Sequence, residues 1–186
     1  MKRGKKIVLI SHCILNVNAK VEGIANYSSG LKEVICTLIE NDFGIIQLPC
    51  IEQAMGGINR WGQVKEQLDF PSFRDKCKEM LIPVINQVED FYKNGYEISA
   101  VIGVDGSPTC GVSKTCSGKW NGEICGQNNI EEKIATLKEI ESSGVMMEEL
   151  KILLELKGID VRFFGINESN PQNGINTILE NICKKN

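Results

Sequence analysis

Hydrophobic positions along the chain gather into four short, nearly unbroken runs, separated by stretches where they recur every three or four residues. The runs are Ile7-Val8-Leu9-Ile10, Gly44-Ile45-Ile46-Gln47-Leu48, Ile98 to Val104, and Asp160 to Ile166. Short apolar runs of this kind predict strands, and the third, apolar almost throughout, predicts one buried on both faces. Between the first two, Leu31, Val34, Ile35, Leu38 and Ile39 form a helical stripe for which Ser28-Ser29 offers a cap. A longer stripe from Ser72 carries Phe73, Cys77, Leu81, Val84, Val88 and Phe91 and ends at Gly95. Pro83 inside it removes a backbone donor and predicts a kink or a split. Leu150, Leu153, Leu154 and Leu156 predict a helix between Gly144 and Gly158, and Ile175, Ile178, Leu179 and Ile182 another from Pro171.

Strands alternating with helices predict an α/β fold, a Rossmann-like parallel sheet with right-handed crossovers, in one domain over 1–186. Residues 111–127, rich in Gly, Ser, Lys and Cys, read as a loop or flap after the third strand, and residues 130–141 fit either a helix or a short strand pair.

Charge narrows the partners. Lys and Arg total 21 against 24 Asp and Glu, a net charge of −3, where a protein that binds a phosphate backbone normally carries a basic excess. No run approaches the length of a membrane span. The opening Met-Lys-Arg-Gly-Lys-Lys resembles the start of a signal peptide, but its apolar run breaks at Ser11-His12 after four residues, so a cytoplasmic protein is expected. Neither nucleic acid nor membrane is expected as a partner, and the oligomeric state stays open.

Eight cysteines change the picture. In a reducing compartment, clustered cysteines point to metal binding or catalysis more than to disulfides. Cys13, Cys50 and Cys110 each follow a predicted strand, in Ser11-His12-Cys13, Leu48-Pro49-Cys50 and Ser107-Pro108-Thr109-Cys110-Gly111. A parallel sheet places the carboxyl ends of all its strands along one edge, where ligands bind. Three cysteines remote in sequence thereby share one edge. No Cys-x₂₋₄-Cys knuckle of the structural zinc type is present. Three thiolates suit a 4Fe–4S cluster with one iron left open, and Cys116 or Cys125 offers a fourth ligand or is a plain loop thiol. Cys36 and Cys77 fall on helix stripes as packing residues, and Cys183 receives no role.

The neighbourhoods of these three cysteines resemble the TudS family of thiouracil desulfidases over about the first 125 residues. The family's opening Ser-Ala-Cys-Leu-Leu-Gly reads Ser11-His12-Cys13-Ile14-Leu15-Asn16. Its Cys-Pro-Glu followed by Gly-Gly reads Cys50-Ile51-Glu52 and Gly56-Gly57, and its Ser-Pro-Ser-Cys-Gly reads Ser107 to Gly111. The resemblance implies a Rossmann-like fold and a 4Fe–4S cluster on Cys13, Cys50 and Cys110. It implies Glu52 as acid/base, Ser107 as a neighbouring hydroxyl, and a small thiolated heterocycle such as 2-thiouracil as substrate. Read without the resemblance, Glu52 is equally a solvated charge and Ser107-Pro108 equally turn punctuation.

Departures point to a related subfamily, with another sulfur-containing substrate in view. The family's Gly-x-x-Cys-Arg-Tyr-Asp-Gly reads Asn16 to Gly23, with Ala19 in place of its cysteine. His12, the only histidine, replaces Ala; it is a candidate for substrate binding, proton relay or a hydrogen bond to the cluster, or else a turn residue. Arg60 is a candidate for an anionic substrate group and Trp61 for stacking on a flat ring. The alternatives to an enzyme are an iron–sulfur module that carries sulfur or a cluster, and a zinc protein built on Cys110, Cys116, Cys125 and one remote thiol. No phosphate-binding glycine loop occurs, and a Cys-His hydrolase has little support.

Overall fold

The computed structural model describes residues 3–123, 125 and 129–182. Strand β1 (Lys6–Ile10) leads into the single turn α1 (His12–Leu15); α2 (Lys32–Glu40) then precedes β2 (Phe43–Gln47). Next come α3 (Ile51–Gly56), α4 (Lys65–Leu68) and α5 (Pro71–Lys93), followed by β3 (Glu97–Val104). A small ribbon of β4 (Lys114–Ser117) and β5 (Lys138–Glu141) brackets α6 (Ile130–Ala135). Helix α7 (Val145–Leu156), β6 (Phe163–Ile166) and α8 (Pro171–Ile182) complete the described chain.

The main sheet is parallel, in the order β2-β1-β3-β6, so the fold is α/β and Rossmann-like, as the alternation of patterns predicts. Alternate residues of β1 serve opposite faces: Ile7 and Leu9 pack toward α3, α5 and α7, and Val8 and Ile10 toward α2 and α8. The order reverses at β1, which has β2 on one side and β3 on the other. The carboxyl ends of β1 and β3 therefore flank the topological switch point, the usual crevice for a ligand in such sheets.

Local chemistry accounts for the elements and for three departures from expectation. Helix α5 starts at Pro71, whose fixed φ suits the first helical position, and buries Phe73, Cys77, Leu81, Ile85 and Val88. Pro83 does not split it: Pro83 and Glu79, the residue whose carbonyl loses its helical donor, are both exposed. Gly95 then reverses the chain at φ +75°. Helix α2 begins at Lys32 rather than at Ser28-Ser29, because Leu31 turns inward to the core and its N–H bonds to Ile14 O. The expected flap is in its first part a strand: β4 pairs antiparallel with β5 and is tied to α4, with Ser117 Oγ donating to Glu66. Residues 130–141 hold both alternatives, a helix and then a strand. Among the described residues no helix is long and apolar enough to cross a membrane.

Candidate functional site

At the carboxyl edge of the sheet lies a cavity of about 300 Å³ lined by Cys13 beyond β1, Cys50 beyond β2 and Cys110 beyond β3. The three strand-end thiols are thus brought together, with Glu52, Ser107 and Thr109 on the same wall.

The turn carrying Cys110 is held from every side. Ser107 Oγ accepts from the N–H of Thr109 (3.3 Å) and of Cys110 (3.0 Å). Asp105 Oδ1 accepts from the backbone of Val112, Ser113 and Lys114. Helix α7 docks its free N-terminal N–H groups on this turn, Val145 donating to Pro108 O and Met147 to Thr109 O. That approach requires glycine: a Cβ on Gly144 would lie 2.4 Å from the Thr109 carbonyl carbon, and one on Gly103 2.3 Å from Cys110 O. Ser107 is therefore first an organiser of the turn, with its hydroxyl 3.3 Å from Thr109 Oγ1.

Glu52, on the first turn of α3, points across to that turn. Thr109 Oγ1 donates to Glu52 Oε1 at 2.5 Å, and Arg60 Nε stands 3.6 Å from Oε2. The other Arg60 nitrogens donate to Ala19 O (2.7 Å) and Gly57 O (3.0 Å). Its charge is therefore paired with Glu52, and Arg60 lines the same cavity.

The thiols are electrostatically linked. Burial first, then the neighbouring Cys110 and Glu168, push Cys13 well above the ordinary thiol range. Burial raises Cys110 to about 12 against the pull of the Thr109 hydroxyl, and burial also raises Cys50 despite a hydrogen bond from the Gln53 backbone. Burial thus favours the protonated form of all three thiols, and a metal group bound there would take the place of their protons. Ser11 Oγ, buried beside Cys110, has no oxygen or nitrogen partner among the described residues. No three His, Cys, Asp or Glu side chains among the described residues converge closely enough for a single metal ion. A cluster asks for something different, since each thiolate takes its own iron. The donor set and the cavity fit such a group.

Other candidates fall elsewhere. His12 does not line the cavity; its ring is hydrogen-bonded to the Gln47 side chain, with the Asn16 amide 3.4 Å from the second nitrogen, and burial lowers its pKa. Trp61 stands 78% exposed on an adjoining cavity of about 320 Å³ that it shares with Trp120. Cys116, in β4, does line the cysteine cavity, and its thiol donates to Gln63 O; burial raises it to about 11. Cys125 is exposed and outside the cavity, so the zinc set that needs it is not assembled. Cys77 is fully buried on α5 and Cys36 partly buried on α2, while Cys183 lies outside the described residues.

Four lining residues were not singled out in the sequence: Thr109, Lys20, Glu168 and, as a cavity residue, Asp105. Lys20 Nζ and the Tyr27 hydroxyl both donate to Glu168, and the Tyr27 oxygen lies 3.2 Å from Cys13 O. Position after the last strand of the sheet is the one cue that pointed to Glu168.

No family model matches the chain. The uncharacterized protein MJ0003 of Methanocaldococcus jannaschii is 39% identical over 112 residues, which cover 60% of this chain and 71% of that protein. A solved 4Fe–4S-dependent thiouracil desulfidase, TudS, superposes over 93% of this chain and 97% of its own at TM-score 0.46 and 16% identity. Likeness at that level leaves the chemistry to be argued from this chain's own residues. The chain belongs to the family of MJ0003.

Proposed function

We propose that this member of the MJ0003 family is an iron–sulfur desulfidase and a divergent relative of the TudS family, removing sulfur as sulfide from a small thiolated heterocycle such as 2-thiouracil. The observation that carries the reading is the convergence of Cys13, Cys50 and Cys110 on one cavity beside the Glu52–Thr109 pair. The three thiolates are the residues that would hold a 4Fe–4S cluster. When bound, such a cluster supplies an iron free of protein ligands, a thiophilic Lewis acid that stabilises sulfide as a leaving group.

The chain's own residues handle water and protons. The reaction exchanges one bond for another: a C–O bond forms from water, the C–S bond breaks, and sulfur departs with the bonding pair, so nothing is oxidised or reduced. Thr109 occupies Glu52 Oε1, which leaves Oε2 to take the proton from the attacking water and return it to the departing sulfide. Arg60, pinned to Ala19 O and Gly57 O, stands against that carboxylate and helps to hold it in place. Ser107 fixes the turn that carries both Thr109 and Cys110.

The test is sulfide release from 2-thiouracil by anaerobically reconstituted protein. Glu52→Gln is expected to keep the iron and lose roughly 10²–10⁴-fold in turnover. Undiminished activity in that variant would remove Glu52 from the mechanism. The placement of Cys116 in the same cavity supports a second reading, a sulfur or cluster carrier with four thiol ligands. That reading expects spectra unaffected by 2-thiouracil and no role for Glu52.

A further inference from the structure

The side of the cavity formed by Lys20 and Glu168 has no part in the chemistry above, yet it is built as carefully as the Glu52 side. Lys20 follows the short helical turn Val17–Ala19, Tyr27 comes from the loop before α2, and Glu168 from the end of β6. Residues 148 positions apart meet as an ion pair, each side chain 9% exposed, and both line the cavity. Charges taken this far out of water carry a desolvation cost that packing alone does not require.

Charge accounting limits what they can meet. The cavity is lined by two cations, Lys20 and Arg60, and three carboxylates, Glu52, Asp105 and Glu168. Both cations are already paired, with Glu168 and Glu52. Neither cation is left free to bind a phosphate, so the subsite suits a ligand that carries none. The pair nonetheless keeps hydrogen-bonding capacity: Lys20 has three donors and gives one to Glu168 Oε2, and each Glu168 oxygen, satisfied once by Lys20 or Tyr27, has a second lone pair. A donor and an acceptor side by side match a ring carbonyl next to a ring N–H.

We propose that Lys20 and Glu168, braced by Tyr27, form the subsite that reads the lactam edge of an uncharged thiolated heterocycle. The ammonium donates to the ring carbonyl and the carboxylate accepts from the adjacent ring N–H. This rests on the desulfidase reading for the thione, which sits on the other side of that N–H.

The experiment compares two thiones on iron-loaded protein by calorimetry. 2-Thiouracil has the lactam edge, and pyrimidine-2-thione has the same thiocarbonyl without it. The wild type is expected to bind 2-thiouracil roughly tenfold to a hundredfold more tightly, the usual range for a hydrogen bond to a charged group. Lys20→Met is expected to erase that preference by weakening 2-thiouracil alone, with iron content and absorption spectrum unchanged. Because Lys20→Met leaves a buried carboxylate, the paired variant Lys20→Met/Glu168→Gln is measured beside it, with the same expectation. Equal binding of both thiones by the wild type, or equal weakening of both in the variants, overturns the subsite and leaves the desulfidase reading intact. Binding of neither thione by iron-loaded wild type overturns both.

Discussion

Thr109 Oγ1 donates a hydrogen bond to Glu52 Oε1 at 2.5 Å, joining the turn after β3 to the first turn of α3 across 57 residues. The two are neighbours because Cys50 and Cys110 follow strands on either side of β1, so residues next to each cysteine face each other over the cavity. Thr109→Val removes the donor and keeps the shape. Turnover is expected to fall roughly 5–30-fold with iron content unchanged, because a charge-assisted bond of about 1–2 kcal/mol no longer orients the carboxylate. A parallel loss of iron would instead make Thr109 a cluster-supporting residue.

Gly144→Ala tests the docking of α7 on the cysteine turn. Its Cβ would stand 2.5 Å from Thr109 O and 2.9 Å from Cys110 N, both backbone atoms that cannot swing away. The variant is expected to lose about 1–3 kcal/mol in urea unfolding and to take up less iron, since Cys110 moves with the turn. Unchanged stability and iron uptake would contradict this contact.

Arg74 gathers carboxylates from two elements: Nε to Asp69 at 2.6 Å, and its terminal nitrogens to Glu148 at 2.6 Å and Glu149 at 2.7 Å. Glu149 is buried at 4% exposure, and Arg74→Met leaves it only Lys78, 3.9 Å away, so the variant is expected to cost about 2–4 kcal/mol. Stability equal to the wild type would contradict the arrangement.

The hydrogen bond from Arg74 holds the Asp69 carboxyl below its usual range. A depressed folded pKa contributes stability above the unfolded value, about 3.9, that is lost as the pH falls through the folded one. Asp69→Asn is therefore expected to destabilise the protein at neutral pH and to match the wild type in strong acid. With the carboxylate 42% exposed, the neutral-pH effect should stay below about 1 kcal/mol. A penalty that does not change with pH would rule out this linkage.

Cys116→Ser separates the two readings of the cavity. The desulfidase reading expects unchanged iron stoichiometry and sulfide release. Loss of iron in this variant would place Cys116 in the ligand set and favour the carrier.

Much of the cysteine edge was legible in the sequence because it depends on rules that act locally. A strand ending at Ile10, one ending at Gln47 and one ending at Val104 place Cys13, Cys50 and Cys110 on a common edge once the sheet is parallel. Lys20, Tyr27 and Glu168 were not legible, since each is an ordinary polar residue until strand order brings β6 beside β3. Arg60 and His12 looked like ligands for substrate because unpaired charge and a lone imidazole attract that reading. Their partners, Ala19 O and Gly57 O for one and Gln47 for the other, are set by tertiary contacts that no local pattern records. Strand β4 reads as a loop in the sequence because Lys114-Thr115-Cys116-Ser117 lacks the apolar alternation that marks a strand; it is held by pairing with β5 and by Gln63 and Glu66.

Iron content tests most directly whether Cys13, Cys50 and Cys110 hold an iron–sulfur cluster. Protein reconstituted anaerobically with iron and sulfide is to be assayed for iron and for its visible spectrum, beside Cys50→Ala treated identically. About four irons per chain in the wild type, with the iron and the colour lost in the variant, is the expected result. A wild type that takes up no iron, or a Cys50→Ala protein that holds as much, would contradict the account.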